Sequence, residues 1–361
     1  MIFSLKQRLG ALVIDAPRYI YAFIRQRFKD KNAWLSVRNR NEKLKFSPNS
    51  IGMKCMQQWT SDLYLPKIFP FFGQQLFKIA LSSSSFKLDS NKAHNKATTV
   101  DVSFIIGHRG RGRTDLLLTT IDSLAAQEGC NIECIIVEQD NTPIVQNMLP
   151  KWVRYVFTPL PQPDMHYSRS WAFNVGADHA KGQCLIFHDN DLLVPTCYAG
   201  DTLALFKRGY DFINLKRFIF YLSKEASRKF LEHKNLVPSL KIESIMQNAQ
   251  GGGSIGASKK AFKRIGGFDQ RFVGWGGEDN EFWERALTQN VWSYGYLPLV
   301  HLWHEAQTEK IDFESSNTKA LYNELSEQSA KDRITVLKQQ ANERKISDIS
   351  LLLNNIQDVS K

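Results

Sequence analysis

The chain has 361 residues, of which 43% are hydrophobic and 12% aromatic, and a formal net charge of +11. That composition excludes a disordered polymer and suffices for a full core, as one large or two smaller domains. The five cysteines (Cys55, Cys130, Cys134, Cys184, Cys197) are scattered without a CxxC, which excludes a disulfide framework or zinc cage and points to reduced thiols in the cytosol.

Residues 1–45 hold eleven Lys or Arg against three acidic residues, a net +8. A nucleic-acid enzyme would spread such charge over its working surface, so no nucleic-acid partner is expected. The first 28 residues mix this charge with Ile2, Phe3, Leu5, Leu9, Leu12, Val13, Tyr21, Ile24 and Phe28. No stretch reaches the roughly 18 apolar residues of a spanning helix, and no small-residue cleavage site follows an apolar core. Pro17 is expected to break this segment into two helices. A basic amphipathic segment can lie on an anionic membrane surface; a helix pair packed on the domain, with a solvated basic face, is the other reading. Residues 1–98 read as a helical basic extension. Its second aromatic patch runs from Leu63 to Leu76, and polar, linker-like sequence follows from Ser82 to Thr99.

The character changes at Val100. Residues 102–106, 133–138, 152–157 and 183–188 read as strands, and 114–126 and 169–179 as helices. This alternation predicts a parallel α/β sheet with right-handed crossovers. Ligands then bind beyond the strands' carboxyl ends, which should bring the loops at 107–113, 139–143 and 189–195 together. Residues 211–221 and 290–303 are further strand candidates, and 259–265 a helix. Residues 312–361 read as helical, polar and peripheral. The domain therefore spans 99–310, in two halves (99–200 and 201–310), with 311–361 as a tail.

Chemistry clusters at four places. Asp189-Asn190-Asp191 ends a buried strand; aspartates at i and i+2 offer oxygen ligands to Mg²⁺ or Mn²⁺, or form an Asx turn. His301 and His304 form an HxxH. On a regular strand they face opposite ways, so both reach one metal only if the strand breaks there. His108 to Arg113 is a basic glycine-containing loop without the P-loop pattern. Trp275-Gly276-Gly277-Glu278-Asp279-Asn280-Glu281 sets three carboxylates behind two glycines and a tryptophan. A carboxylate there can take a proton from a hydroxyl nucleophile; alternatively the segment is a helix N-terminus that Glu281 closes as a capping box. Gly251-Gly252-Gly253 suits a backbone pressed against a ligand, or a mobile loop.

These pieces, in this order, resemble the GT-A (Rossmann-like, nucleotide-diphospho-sugar) glycosyltransferases over about residues 100–305. The amino half looks like the family-2 type, with Glu138-Gln139-Asp140 after its second strand. Gly252 to Glu281 is similar to the β-1,4-galactosyltransferase pattern GGxxxxSKxxFxxIGGFDxxFxGWGGEDxE, and Gly107 to Arg111, Tyr167 to Arg169 and Asn174 to Gly176 match further stretches. The resemblance implies nucleotide binding for the half at 99–200 and acceptor binding for that at 201–310. It implies a nucleotide-sugar donor bound by Arg109, Arg111, Arg169, Asp140, Asp189 and Trp275. It implies Mn²⁺ or Mg²⁺ held by Asp191, Asp189, His304 and His301, the last standing where those enzymes use methionine. Asp279 would be the base and Glu278 would bind sugar hydroxyls. The expected outcome is transfer to a glycan or lipid-linked acceptor with inversion, in surface polysaccharide synthesis at the cytoplasmic face of the plasma membrane. Nucleotidyl transfer, or a membrane-attached scaffold with a decayed transferase domain, are the alternatives.

Overall fold

The computed structural model describes residues 3–48, 51–57, 59–92, 99–306 and 316–341. The expected tail thus lies partly outside the described residues, at 311–315 and 342–361, as does 93–98 of the linker-like segment.

Helix α1 (Leu5–Gly10) runs through a π-helical turn at Ala11–Asp15 into α2 (Ala16–Phe28). Pro17 does not split the segment. Proline lacks an N–H and crowds the carbonyl four residues back, and a π turn at that point widens the helix around it. Strands β1 (Leu44–Phe46) and β2 (Met53–Cys55) form a hairpin. Then come β3 (Ser61–Asp62), α3 (Tyr64–Ile68) and α4 (Pro70–Ser83).

The alternating part follows: β4 (Val102–His108), α5 (Thr114–Ala125), β5 (Ile132–Asp140), β6 (Val153–Pro159), α6 (Arg169–His179) and β7 (Cys184–His188). Next are β8 (Leu192–Leu193), α7 (Tyr198–Lys207), β9 (Phe212–Ile213), β10 (Lys216–Leu222), α8 (Lys224–His233), β11 (Ile242–Gln247) and β12 (Ser254–Ser258). The last are α9 (Lys259–Arg264), α10 (Glu278–Ala286), β13 (Val291–Trp292), β14 (Leu297–His301), a helix at Asn317–Ser326 and another over 330–341.

The larger sheet has seven strands in the order β13-β9-β12-β7-β4-β5-β6. Only β7-β4-β5-β6 is the expected parallel sheet; β12 is antiparallel to both of its neighbours, so the sheet is mixed. Strand β12 falls where a loop leading to a helix was expected. Small residues allow it: a Cβ on Gly256 would lie 2.5 Å from Thr202. A second, five-stranded sheet has the order β3-β11-β10-β14-β8.

The amino-terminal segment shares this second sheet's core. Strand β3 pairs with β11, and Tyr19, Trp34, Leu63, Leu76 and Phe77 are buried with Phe218, Phe220 and Ile245. Arg217 is buried there too, its guanidinium donating to the Leu35 and Val37 carbonyls at 2.7 and 2.6 Å. Burying five such apolar side chains is worth roughly 1.5–3 kcal/mol each. Nor is the described carboxyl-terminal part peripheral. Arg333 bonds Glu284 at 2.7 Å, Tyr322 donates to Glu284 at 2.6 Å, and Thr318 donates to the Trp275 carbonyl at 2.7 Å. Among the described residues no helix is long and apolar enough to cross a membrane.

A candidate sugar-transfer site

The three loops do converge. Gly110 N–H donates to Asp140 at 3.1 Å, and Asn190 donates to His108 Nδ1 at 3.0 Å. Both contacts follow from the parallel β4, β5 and β7 ending at one edge. Beyond that edge lies a cavity of about 1550 Å³, lined by Arg109, Arg113, Arg169, Asp189, Asp191, Trp275, Glu278, Asp279, His301 and His304 among others.

Arg169, the first residue of α6, is the hub of this cavity. Its Nε and Nη2 donate to Asp189 Oδ1 at 2.9 and 2.7 Å, its Nη1 bonds Asp279, and Glu278 Oε1 lies 3.7 Å away. Its guanidinium stacks 4.5 Å from the centre of the Phe173 ring. Burial works against the charge, but three carboxylates hold Arg169 firmly protonated.

The two aspartates of Asp189-Asn190-Asp191 do different work. Asp189 faces Arg169. Asp191 faces the histidines: His304 Nε2 lies 3.2 Å from its Oδ2 and His301 Nε2 3.5 Å from its Oδ1. Strand β14 ends at His301, and the irregular chain beyond turns His304 back, so the two rings sit 5.2 Å apart. His301 also stacks on Tyr221 at 4.2 Å. Ligand atoms of Asp191, His301 and His304 all lie within 4.8 Å of one another, and Asp191 Oδ1 is a buried oxygen without a hydrogen-bond donor. One carboxylate and two imidazoles so placed fit a divalent cation. Asp189, expected in this set, lies outside the cluster because Arg169 takes its carboxylate. Burial opposes the Asp191 charge, but His301, His304 and Arg113 hold its carboxyl well below the usual range.

Trp275-Gly276-Gly277 precedes α10. Gly276 and Gly277 have φ of +98° and +90°, a region that side chains disfavour, so the sharp entry into α10 requires them. Glu278, Asp279 and Glu281 fill the helix's first turn, favourable to its dipole. Glu281 does not close a capping box. It is buried against Arg285, which donates to it at 2.7 and 2.6 Å. Arg285 also donates to the Ile265 and Gly267 carbonyls at 2.7 Å.

The triple glycine presses against this motif. A Cβ on Gly251 would collide with the Asp279 carbonyl, and one on Gly252 would stand 3.0 Å from Asp279 Oδ2. Lys216 fixes the loop from the other side, its Nζ donating to the carbonyls of Gln250 (3.3 Å) and Ser254. Burial, against the pull of Asp279 and Asp189, lowers this amine to about 7.

Burial raises Asp189 to about 6, and burial with the neighbouring Asp279 raises Glu278 to about 7. Glu278 Oε2 is buried without a hydrogen-bond partner among the described residues. A carboxyl raised above its ordinary 4.5 costs nothing when both folded and unfolded states are protonated. The penalty grows as pH rises toward the folded value, to about 3 kcal/mol beyond it. Glu278→Gln is therefore expected to match wild type in denaturation midpoint at pH 4 and to exceed it at pH 8.

Of the residues expected at the site, Arg111 and Asp140 do not line the cavity. Arg111 is exposed, and Asp140 ties the loop through Gly110. Arg113 lines the cavity instead, with Nη1 3.3 Å from Asp191 Oδ2 and Nη2 3.0 Å from His304 Nδ1. It belongs to the same basic loop, and only the loop's path distinguishes it from Arg111. Lys216 also escaped the sequence reading; the available signal was a lysine opening an aromatic-rich strand.

The mixed sheet, the carboxylates at its strand ends and the acidic helix start agree with the GT-A glycosyltransferase fold expected from the sequence. Residues 103–264 match the family model described as Glycosyl transferase family 2, and residues 235–298 the one described as N-terminal domain of galactosyltransferase. Together the two matches span residues 103–298 and support a glycosyltransferase. It is 32% identical over 125 residues to beta-1,4-galactosyltransferase 5 of Danio rerio, an alignment covering 33% of this chain and 26% of that protein. The chain thus spans about a quarter of that relative's length. It is also similar to the S. aureus TarS 1-349 crystal structure, at 16% identity and TM-score 0.39, covering 55% of this chain and 60% of that one. A mannosyltransferase from Pyrobaculum calidifontis, in complex with GDP-Man and Mn²⁺, is similar at 15% identity and TM-score 0.39, covering 68% of each chain.

Proposed function

We propose that this protein transfers a sugar from a nucleotide-sugar donor, a UDP-sugar in our reading, to a hydroxyl of a glycan or glycolipid. The reaction would serve surface polysaccharide synthesis at the inner face of the plasma membrane. The observation that carries this reading is the single cavity joining Asp279, Arg169 and the Asp191–His301–His304 cluster. Asp191, His301 and His304 would hold Mn²⁺ or Mg²⁺, which when bound supplies positive charge to the diphosphate oxygens.

The chain's own residues account for the remaining steps. Arg169 and Arg113 offer fixed cations to the departing nucleoside diphosphate. Trp275 walls the sugar and Glu278 bonds its hydroxyls. Asp279 takes the acceptor's hydroxyl proton as the acceptor oxygen bonds the anomeric carbon. The bond from that carbon to the diphosphate oxygen breaks on the opposite side, so configuration inverts. Gly252 leaves Asp279 Oδ2 room for that proton, while Arg169 occupies Oδ1. A second assignment, Glu278 as the base, is favoured by its raised affinity for protons and its unbonded oxygen. An anomeric analysis of the product separates inversion from retention.

Chelation by EDTA is expected to abolish release of nucleoside diphosphate, and added Mn²⁺ to restore it. His304→Ala should shift the Mn²⁺ concentration for half-maximal activity upward by at least tenfold, a loss of about 1.4 kcal/mol. Full turnover in EDTA would remove the metal from the account.

A further inference from the structure

The helical run from Leu5 to Phe28 has two faces. Ala11, Asp15, Ala16, Tyr19 and Ala22 are buried against the second sheet's core, and Arg40 clamps Asp15 at 2.5 Å. The opposite face carries Leu5, Leu9, Leu12, Val13, Ile20 and Ile24, ending at Phe28. Leu5, Val13 and Phe28 are 73%, 70% and 72% exposed. Apolar residues recurring at this spacing, on a helix already anchored by its other side, form a fixed platform rather than a loose tail. Exposed Lys6, Arg8, Arg25, Arg27 and Lys29 interleave with them. Between residues 3 and 28 Asp15 is the only acidic residue, and it is buried. Two copies of this face would repel each other, whereas an anionic bilayer matches both the charge and the apolar stripe.

The cavity leads to this platform. Its lining crosses the second sheet strand by strand, because His301 pairs with Leu192, Tyr221 with His301 and with Ser244, and Met246 with Asp62. Four strand spacings separate β8, beside Asp191, from β3, roughly 19 Å at about 4.8 Å each. At the β3 end the cavity is lined by Thr60, Asp62, Lys67 and Phe3, and Phe3 stands two residues before α1. The apolar stripe and the far end of the cavity are thus neighbours.

We propose that the outer face of α1 and α2 docks on an anionic bilayer, so that the cavity's β3 end opens toward the lipid and admits a membrane-anchored acceptor. The docking stands on the helices alone; the acceptor's route rests on the sugar-transfer reading. Flotation of the full chain with phosphatidylcholine vesicles, alone or with roughly one-third phosphatidylglycerol, tests the docking. The expected result is binding to the anionic vesicles only, weakening with salt. The variant K6Q/R8Q/R27Q should lose roughly fivefold in affinity per cation removed. L9S/V13S/I24S should lose binding while melting as wild type does and still releasing nucleoside diphosphate from the donor. Equal flotation of wild type and L9S/V13S/I24S, no flotation at all, or a dimer that L9S/V13S/I24S dissolves would overturn the docking.

Orientation is read by bromine-labelled phosphatidylglycerol. It should quench a fluorophore on Thr60→Cys more than one on Arg154→Cys, which lies on β6 at the edge of the other sheet. Equal quenching would overturn the acceptor's route. Vesicle binding without any donor turnover would leave the docking standing and remove the sugar-transfer reading, so the two failures are distinguishable.

Discussion

Arg169→Met is expected to abolish donor turnover and to destabilise the protein at pH 7 by about 3–5 kcal/mol, the usual cost of removing one partner from a buried charge group. Arg169 is the only cation within bonding reach of both Asp189 and Asp279 among the described residues, and Glu278 is close behind. Without it three carboxylates share one cavity. Burial already raises Asp189 to about 6 and Glu278 to about 7 against the opposing charge of Arg169; loss of that charge would raise both further, and protonation is how the site relieves the repulsion. The destabilisation should therefore shrink as pH falls from 7 to 5, as more of these carboxyls become neutral. Urea denaturation midpoints of both proteins across that range measure it. An Arg169→Met protein as stable as wild type at pH 7 would mean that the guanidinium does not hold these carboxylates together.

Asp279→Asn is the second large effect. The amide keeps the shape and can still accept from Arg169, so the fold should persist, but it cannot take a proton. General-base catalysis is worth roughly 10²–10⁴ in rate, and the loss should fall on kcat with little change in donor KM, because the donor's contacts remain. Steady-state kinetics with a nucleotide-sugar donor decide it. Undiminished turnover in Asp279→Asn together with loss in Glu278→Gln would move the base to Glu278.

The parallel half of the domain was legible because its central strands are short apolar runs buried on both faces. Val102 to Ile106 and Cys184 to Phe187 announce themselves by composition, and α5 follows the first of them; the outer strand β6 is only partly buried. The condition set for the HxxH, a strand ending at the first histidine, is met at His301. The second sheet was not legible as a sheet. Its edge, β3, is two residues long and is defined by pairing with Met246 and Gln247 far along the chain. Local periodicity carries no such information. The same cause hid the burial of Tyr19, Trp34 and Phe77 in the core shared with β10 and β11.

Within the site, residue types were easier to read than partners. Asp189 and Asp191 share a motif, yet one meets Arg169 and the other two histidines and Arg113. That division depends on where α6 begins and β14 ends, not on the motif. Glu281 was read as a cap from its position three residues into an acidic helix start. Its partner Arg285, one turn on, is the stronger claim on a buried carboxylate.

The central claim is that this cavity breaks the bond between a sugar and a nucleoside diphosphate. Incubating the protein and Mn²⁺ with a panel of nucleotide sugars, and separating the nucleotide products by chromatography, tests it most directly. The account predicts that at least one UDP-sugar is consumed with UDP as the nucleotide product. Release of nucleoside monophosphate or pyrophosphate, or no consumption of any donor in the panel, would contradict it.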